Sequence, residues 1–215
     1  MSHKVYPNLA HLDTFPSDLN YTGFVIDGWD HPINLVPIIT ILVCVMFGGA
    51  PRSLLSVWVL INAAFIHLWL DGLIGMTGMG PKYFSDEYAI YDSRFWPTKD
   101  PCVTIIALIE VTIMGPLCVL WYIAIGRKLW YRHFLCLVTS TFQLMGTIIY
   151  MFCEIWDNFK HLPAKESWPP KFDTYEKLKY FWGVFVGLNP IWILVPISLY
   201  FSTWRKMRPS KDKQN

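Results

Sequence analysis

The stretch that decides the fold is Leu54–Met76, LLSVWVLINAAFIHLWLDGLIGM, an apolar run that contains His67 and Asp71. An α-helix crosses the ~30 Å hydrocarbon layer of a bilayer with roughly 20 apolar residues, so this segment is long enough to span a membrane. Four further apolar blocks are comparable to it: Ile33–Gly49, Cys102–Ile125, Phe134–Ile155 and Leu178–Thr203. We therefore predict an all-α membrane protein, a bundle of five transmembrane helices.

The composition of the chain also points to lipid. Of its 215 residues, 53% are hydrophobic and only 16% are charged, whereas a soluble domain carries about 25% charged residues. A formal net charge of +2 argues against nucleic acid as a partner. The five cysteines have no paired spacing, so we expect neither a zinc site nor a disulfide framework.

The basic residues predict how the spans are oriented. Nine of them fall in short segments on one side with Asp212 as the one acid, and the other nine are spread among thirteen acids on the opposite side. Because basic residues favour the cytosolic face, we predict a cytosolic C-terminus. The predicted units are a lumenal segment over 1–32, a five-helix membrane domain over 33–204 and a basic cytosolic tail over 205–215.

Two short signals bear on the compartment. Lys211 and Lys213 lie near the end of the chain, as in a cytosolic retrieval signal for the endoplasmic reticulum, although basic tails are common. Asn20-Tyr21-Thr22 is a glycosylation sequon, which is usable only if this segment is lumenal. We expect a multi-pass protein of the endoplasmic reticulum membrane, and we leave open whether it forms a homodimer.

Polar residues inside the spans predict a single site. Ionisable groups in a bilayer are costly unless they have partners, so His67, Asp71 and Glu110 are functional candidates. His67 and Asp71 are at i and i+4, on one helical face and close enough to hydrogen-bond. With a rise of ~1.5 Å per residue, these three residues, Gln143 and Asn189 all lie about 8 to 18 Å from the lumenal ends of their helices. We therefore predict that they form one layer facing an intramembrane ligand cavity.

Proton transfer on an apolar substrate is the chemistry that such a layer suits. Burial favours the neutral form of a carboxyl, so Glu110 or Asp71 could hold a proton for donation while a partner accepts one. Protonation of an alkene carbon gives a carbocation, which an indole face such as that of Trp192 stabilises by about 0.5 to 2 kcal/mol. We expect no cofactor and no metal, because one buried His and two carboxylates lack the ligands that zinc prefers.

Each of these residues also has a purely structural interpretation. The pair His67 and Asp71 could tie two helices together, and Glu110 could bond a serine or threonine of a neighbouring helix. Asn189 precedes Pro190 and could satisfy carbonyls freed by a kink. Trp192 could simply pack, as one of eleven tryptophans.

Five motifs in order along the chain resemble the emopamil-binding protein family, which shares the EXPERA domain. The motifs are Phe65-Ile-His-Leu-Trp-Leu-Asp-Gly72, the segment Asp86 to Phe95, Met114-Gly-Pro-Leu117, Gln143 with Gly146 and Tyr150, and Asn189-Pro-Ile-Trp192 with Pro196. The resemblance implies a five-span protein of the endoplasmic reticulum. The family is typified by the sterol Δ8–Δ7 isomerase, which protonates a ring alkene, passes through a carbocation and removes a neighbouring proton without a cofactor.

The resemblance also implies roles for individual residues. His67 and Asp71 match the family's His and Glu of the second span, the Asp being one methylene shorter. Asn189 and Trp192 match the polar residue and the cation-facing indole of the fifth span, and the loop 92–94 matches a segment that could be a salt-bridged lid. We assign catalysis to His67, Asp71 and Glu110, and substrate contacts to Trp192, Asn189, Gln143, Tyr88 and Thr112.

One departure from the family's pattern concerns the third span. The isomerase pattern has its Glu eight residues before the Gly-Pro, where this chain has Ala107, and the carboxylate is at Glu110 instead, where the pattern has a Thr. A shift of three residues along a helix moves a side chain by ~300° around the helix axis and by ~4.5 Å along it. We expect Glu110 to face the same cavity but to reach a different atom of the substrate.

The sequence thus leaves three hypotheses. The first is a membrane-embedded acid/base isomerase that shifts a double bond in a sterol or related terpenoid through a carbocation. The second is a cyclase or isomerase of another terpenoid scaffold, which begins with the same protonation. The third is a membrane protein that binds sterols or amphipathic amines without turning them over.

Overall fold

The computed structural model describes residues 28–95, 99–163 and 170–207, and within these ranges it is helical and contains no strand. Six helices follow one another within these ranges. They are α1 (Pro32–Gly48), α2 (Leu54–Thr77), α3 (Lys82–Tyr91), α4 (Pro101–Gly126), α5 (Arg132–Trp156) and α6 (Lys177–Met207). The all-α prediction is confirmed for the part of the chain described.

Four of these helices, α2, α4, α5 and α6, are long and apolar enough to cross a membrane. Their ends lie within a few residues of the predicted ends, apart from the longer C-terminus of α6. The first predicted span is helical but short, because α1 ends at Gly48 and its α-helical part has only 14 residues. A fifth span therefore stays a prediction, and α3 lies in a polar segment for which the sequence analysis predicted no helix.

Local sequence signals explain where α2 and α4 begin. Ser53 caps α2, because its hydroxyl accepts from the backbone N–H of Ser56 and the Ser56 hydroxyl accepts from the backbone N–H of Ser53. Asp100 caps α4 by accepting from the backbone N–H of Cys102 at 2.9 Å, and Pro101 follows it in the first turn. Both caps satisfy backbone donors that the helix itself leaves unpaired.

Three of the long helices widen into π-helical turns where polar residues lie. These segments are Asn62–Ile74 in α2, Glu110–Met114 in α4 and Lys177–Leu188 in α6. Hydrogen bonds from i to i+5 are rare in proteins and are frequent at functional sites. The segments of α2 and α4 carry His67, Asp71 and Glu110.

Two glycines let α2 and α4 approach each other closely at these segments. A Cβ added to Gly72 of α2 would lie 2.3 Å from Cγ2 of Val111, and a Cβ added to Gly115 of α4 would lie 2.3 Å from Cδ2 of Leu68. Small residues are common where membrane helices meet, since they allow the backbones to come near. The contact brings the acidic residues of α2 and α4 to one side of the interface.

Two apolar clusters lie at different levels along α4. One contains Val103 of α4 and Phe181 and Phe185 of α6, and the other contains Cys118 and Trp121 of α4. The stretch of α4 between Val103 and Cys118 carries Glu110. The two packed clusters therefore hold α4 at both ends of the polar layer. Large apolar side chains also remain exposed along the outer faces of the helices, such as Ile38, Leu42, Phe152, Leu194 and Phe201.

Candidate active site

Polar residues of five helices surround a cavity of about 270 Å³. Its wall is formed by α2, α3, α4, α5 and α6, and most of the lining is apolar, with Leu70, Ile106 and Leu188 among the side chains. All the predicted site residues except Thr112 line this cavity: His67, Asp71, Tyr88, Glu110, Gln143, Asn189 and Trp192. The predicted layer is thus found at one cavity, although the functions of its members stay predictions.

His67 lies at the back of the cavity and is almost completely buried, with 1% of its surface exposed. Its Nε2 lies 3.0 Å from Nε2 of Gln143. Its Nδ1 has no hydrogen-bond partner among the described residues and lies 3.7 Å from Oε1 of Glu110. That separation is too long for a hydrogen bond but short enough for an N–H on the ring to attract a carboxylate at Glu110 electrostatically.

The predicted hydrogen bond between His67 and Asp71 is wrong. Tyr88 of α3 donates its hydroxyl proton to Oδ1 of Asp71 instead, and His67 pairs with Gln143 across the bundle. The physical reason is the π-helical course of α2 over Asn62–Ile74, which changes the register that an ordinary helix would give to residues at i and i+4.

Glu110 opens the π-helical segment of α4 and borders the cavity with Ala107. The two positions are one turn apart, so both the family's Glu position and the displaced carboxyl face the same space, as expected. No hydrogen bond to the Glu110 carboxyl is found within the residues that the structure describes, and Nδ1 of His67 lies 3.7 Å from its Oε1. Two carboxyls, on Asp71 and Glu110, therefore face one largely apolar cavity, where ionisation of both at once is unfavourable.

Trp192 presents its indole to the cavity and is fixed at its edge. Its Nε1–H donates to Oδ1 of Asn62 at 2.8 Å, and its ring lies 5.7 Å from that of Trp58, measured between centroids. A donor bond at the edge and an aromatic neighbour restrict rotation of the ring. The indole is therefore held in place before any ligand binds.

Asn189 begins a chain of hydrogen bonds that leaves the cavity. Its Nδ2 donates to the hydroxyl of Tyr91 at 2.9 Å, the hydroxyls of Tyr91 and Tyr150 are 2.8 Å apart, and Tyr150 donates to Oδ2 of Asp92 at 2.7 Å. The Asn189 side chain thus has a partner of its own, rather than serving only the carbonyls freed by Pro190. Its amide orients α3 relative to α6 at the cavity wall.

The loop after α3 is tied down by a buried ion network. Arg94, 2% exposed, makes a bidentate pair with Asp92 and lies 3.2 Å from Glu154. Glu154 also pairs with Nδ1 of His161 at 2.9 Å. Burial by itself lowers the pKa of Arg94, but its hydrogen bonds and the charge of Asp92 outweigh burial and hold the pKa above its usual range. The Asp92–Arg94 pair supports the interpretation of this segment as a salt-bridged lid.

Thr112 does not reach the cavity. It is exposed, and its hydroxyl donates to the backbone carbonyl of Leu108 at 2.7 Å. Two residues correspond to about 200° around a helix, so Thr112 and Glu110 leave α4 on nearly opposite faces. The assignment of Thr112 to substrate contact is therefore corrected.

Several residues at the site were missed by the sequence analysis. Asn62 of α2 and Glu154 of α5 are fully buried polar residues within predicted spans, and Tyr91 lines the cavity. Asn62 and Glu154 could have been found by counting every polar residue in the apolar blocks, whereas Tyr91 has no such signal. In the part of the chain that the structure describes, no group of three or more His, Cys, Asp or Glu residues is placed to hold a metal ion.

Fold and site together define a class, a helical membrane protein whose apolar cavity contains an imidazole, two carboxyls and an indole. Residues 81–203 match the sequence profile of EXPERA, the EXPanded EBP superfamily. The match covers more than half of the chain, and the chain belongs to this family, as the motifs predicted.

Individual relatives are similar over most of their length. The chain is 29% identical over 210 residues to the 3-beta-hydroxysteroid-Delta(8),Delta(7)-isomerase of Rattus norvegicus, which covers 93% of this chain and 86% of that protein. It is 28% identical over 205 residues to the Mus musculus enzyme of the same name, covering 90% and 84%. It is also 28% identical over 204 residues to an isomeliandiol synthase of Ailanthus altissima, covering 88% of each chain.

Proposed function

We propose that the chain is a membrane-embedded isomerase that shifts a double bond in a sterol or related terpenoid by proton transfer through a carbocation. The observation that carries this proposal is the largely apolar cavity that His67, Asp71, Glu110 and Trp192 all line. An apolar wall suits a polycyclic hydrocarbon, and two carboxyls supply both a proton donor and a proton acceptor. The names of the relatives, sterol isomerases and a terpenoid synthase, agree with this class of enzyme.

Glu110 is the proton donor in this proposal. Its carboxyl lacks the donated hydrogen bond that Asp71 receives from Tyr88, so the neutral, protonated form is favoured there. Transfer of its proton to one alkene carbon leaves a cation on the adjacent carbon and a carboxylate on Glu110. The nearby Nδ1 of His67 then stabilises the new negative charge if it carries a proton.

Asp71 is the proton acceptor. The hydroxyl of Tyr88 donates to its Oδ1, and a hydrogen bond donated to a carboxylate favours the charged form. Asp71 removes a proton from a carbon next to the cation, and the electrons of that C–H bond form the shifted double bond. The substrate and the product are isomers, and the proton returns from Asp71 to Glu110 once the product leaves and water enters.

Trp192 shields the cation during its lifetime. The face of an indole attracts positive charge without supplying a lone pair that would trap it, at about 0.5 to 2 kcal/mol. The bond from Trp192 to Asn62 and the contact with Trp58 hold this face in place. The longer the cation is shielded, the more rearrangement it can undergo before Asp71 acts.

A cyclase or isomerase of a specialised terpenoid pathway is the second candidate function. Two observations favour it. One is the similarity to an isomeliandiol synthase. The other is the position of the carboxyl, which is at Glu110 in this chain but at the position of Ala107 in the sterol isomerase pattern. A donor displaced by one turn protonates a different carbon of a ring system or needs a different scaffold. Binding of sterols or amines without turnover is the third candidate.

The membrane setting is also part of the proposal. We place five spans, with α1 as the first, in the membrane of the endoplasmic reticulum, with the cavity in its lumenal half and the C-terminus in the cytosol. The arrangement is supported by the apolar surface of the helices and by the basic residues gathered on one side. The substrate then enters from surrounding lipid. Whether the chain forms a homodimer stays open.

Solvent deuterium tests the proposal directly. The full chain, reconstituted in lipid vesicles, is incubated in deuterated water with a Δ8-sterol and, separately, with polycyclic triterpenes. We expect an isomeric product with one deuterium bound to a ring carbon, because the proton of Glu110 exchanges with solvent between turnovers. A new ring with one double bond fewer in the product identifies the cyclase.

Matched variants separate chemistry from binding. Glu110→Gln removes the proton and keeps the shape, so incorporation should fall at least about 100-fold while ligand affinity stays within about threefold. Asp173→Asn makes the same chemical change at the surface, where Asp173 pairs with Lys177, and should leave incorporation unchanged. Tight binding of a ligand without incorporation of deuterium into any substrate would contradict the proposed enzymatic activity and support the third candidate.

A further inference from the structure

A pair of buried amides, Asn62 of α2 and Gln143 of α5, lies behind His67. Both are at most 1% exposed. Asn62 donates from Nδ2 to the carbonyl of Trp58 at 2.8 Å, and its Oδ1 accepts from the indole N–H of Trp192 at 2.8 Å. A backbone carbonyl can only accept and an indole N–H can only donate, so the orientation of the Asn62 amide is fixed at both ends.

The orientation of Asn62 determines that of Gln143. Oδ1 of Asn62 is an acceptor, so the group of Gln143 that lies 3.1 Å from it must be the amino group. The same amino group lies 3.0 Å from Nε2 of His67. Because an amide nitrogen can only donate, Nε2 of His67 must be the bare, accepting nitrogen of the ring.

A neutral imidazole with a bare Nε2 carries its proton on Nδ1. That atom has no hydrogen-bond partner among the described residues, and it lies 3.7 Å from Oε1 of Glu110. The buried N–H therefore lies beside the carboxyl that gains negative charge in the proposed reaction. The other tautomer would present a lone pair to the same carboxylate and repel it.

We infer that Asn62 and Gln143 are positioning residues that hold His67 in the Nδ1–H tautomer, so that its N–H stabilises Glu110 after proton transfer. The catalytic part of this inference rests on the proposed function, whereas the tautomer itself does not. The chain of bonds runs from Trp58 through Asn62 and Gln143 to His67. Asn62 also bonds Trp192, so one buried amide aligns both the imidazole and the indole of the site.

Substitutions at Gln143 and Asn62 change the tautomer in defined ways. Gln143→Glu replaces the donor facing Nε2 with an acceptor, so the Nε2–H tautomer should dominate. Gln143→Leu and Asn62→Leu remove the constraint and should give a mixture of tautomers. Thr139→Val is the control, because Thr139 is fully buried on α5 about one turn from Gln143 and lies outside this network.

Nitrogen-15 NMR of histidine-labelled protein in lipid bilayers reads the tautomer without any substrate. We expect a protonated Nδ1 and a bare Nε2 for His67 in the wild type and in Thr139→Val, with the reverse in Gln143→Glu. The His67 signal is identified by its loss in His67→Phe. A protonated Nε2 in the wild type, or the same tautomer in all Gln143 and Asn62 variants, would overturn the inference.

Kinetics with the proposed substrates test the catalytic part. Gln143→Glu should lower kcat about 100-fold, as removal of a donor to a developing oxyanion does, with KM within about threefold. Asn62→Leu should lower kcat about tenfold. Should Asn62→Leu fail to fold, the wild type and the Gln143 variants still test the inference. If Gln143→Glu reverses the tautomer but leaves kcat unchanged, the positioning role is wrong. If the wild type has the inferred tautomer but turns over no substrate, only the proposed function is refuted.

Discussion

At the scale of single residues, the two carboxyls of the cavity are made unequal by their neighbours. Asp71 receives a hydrogen bond from Tyr88, whereas Glu110 lies near Nδ1 of His67, which has no hydrogen-bond partner in the part of the chain that the structure describes. Two carboxyls with different partners hold their protons differently, which is how one site can contain both an acid and a base. The difference arises from α3 and α5, which supply Tyr88 and the Gln143 that bonds His67, and not from the acidic residues themselves.

At Trp192, two variants that both lose the indole N–H give a prediction at the residue scale. Trp192→Phe and Trp192→Leu both remove the N–H that bonds Asn62, but only Phe keeps an aromatic face. The difference between them therefore isolates the attraction of the ring for the cation. We expect kcat of the Leu variant to be lower than that of the Phe variant by a factor of roughly 2 to 30, from about 0.5 to 2 kcal/mol.

Single-turnover measurements with saturating substrate give this ratio, since they exclude effects of binding and product release. Thermal unfolding of the two variants in detergent provides the control for packing against Trp58. Equal rates for Phe and Leu would mean that Trp192 acts by shape alone.

The sequence predicted most of these residues because an ionisable or amide group inside an apolar run is costly and therefore rare. Depth along each helix follows from a constant rise per residue, so the layer formed by His67, Glu110 and Gln143 could be predicted. Hydrogen-bond partners could not, because they depend on rotation of one helix against another. The partners that His67 and Asp71 have instead, Gln143 and Tyr88, lie on other helices, and the π-helical course of α2 changes the register between the two residues themselves. Thr112 fails because it lies on the opposite face of α4 from Glu110.

At the scale of helices, the apolar blocks predicted the long elements well because the thickness of a bilayer fixes their length. The π-helical segments of α2, α4 and α6 have no comparable sequence signal. Each adds a residue to a turn and so rotates everything beyond it relative to a regular helix. The direction in which Asp71 points thus depends on a feature that only the structure reveals.

The contact between α2 and α4 gives an element-scale prediction. Gly72→Ala places a Cβ 2.2 Å from the carbonyl oxygen of His67 in α2 itself and 2.3 Å from Cγ2 of Val111 in α4, so both the turn of α2 and its contact with α4 must shift. Overpacking of this kind costs about 1 to 3 kcal/mol. Gly146→Ala is the matched control, because its added Cβ meets nothing nearer than Ile106 at 4.0 Å.

Thermal unfolding of the two alanine variants in the same detergent compares them directly. We expect a clearly lower Tm for Gly72→Ala and a Tm near that of the wild type for Gly146→Ala. Equal Tm values would show that α2 and α4 do not meet at Gly72 as described.

At the scale of the whole molecule, orientation in the membrane follows from charge and cannot be read from helix packing. The α5 helix offers matched positions for testing it, since Trp130 just before it and Trp156 at its end are 85% and 87% exposed. With 25 residues at ~1.5 Å each, the helix is long enough to separate these positions across the hydrocarbon layer. The basic residues Arg127, Lys128 and Arg132 lie beside Trp130, so the proposed orientation has this end in the cytosol.

Each tryptophan is replaced by cysteine in a chain whose five native cysteines are changed to serine or alanine. Sealed microsomes, with their cytosolic face outward, are then treated with a maleimide that cannot cross membranes. We expect Trp130→Cys to react at once and Trp156→Cys to react only after detergent is added, because the proposed orientation puts the second position on the lumenal side. The reverse pattern would place the cavity in the cytosolic half of the bilayer, and reaction at both positions in sealed vesicles would show that α5 does not cross the membrane.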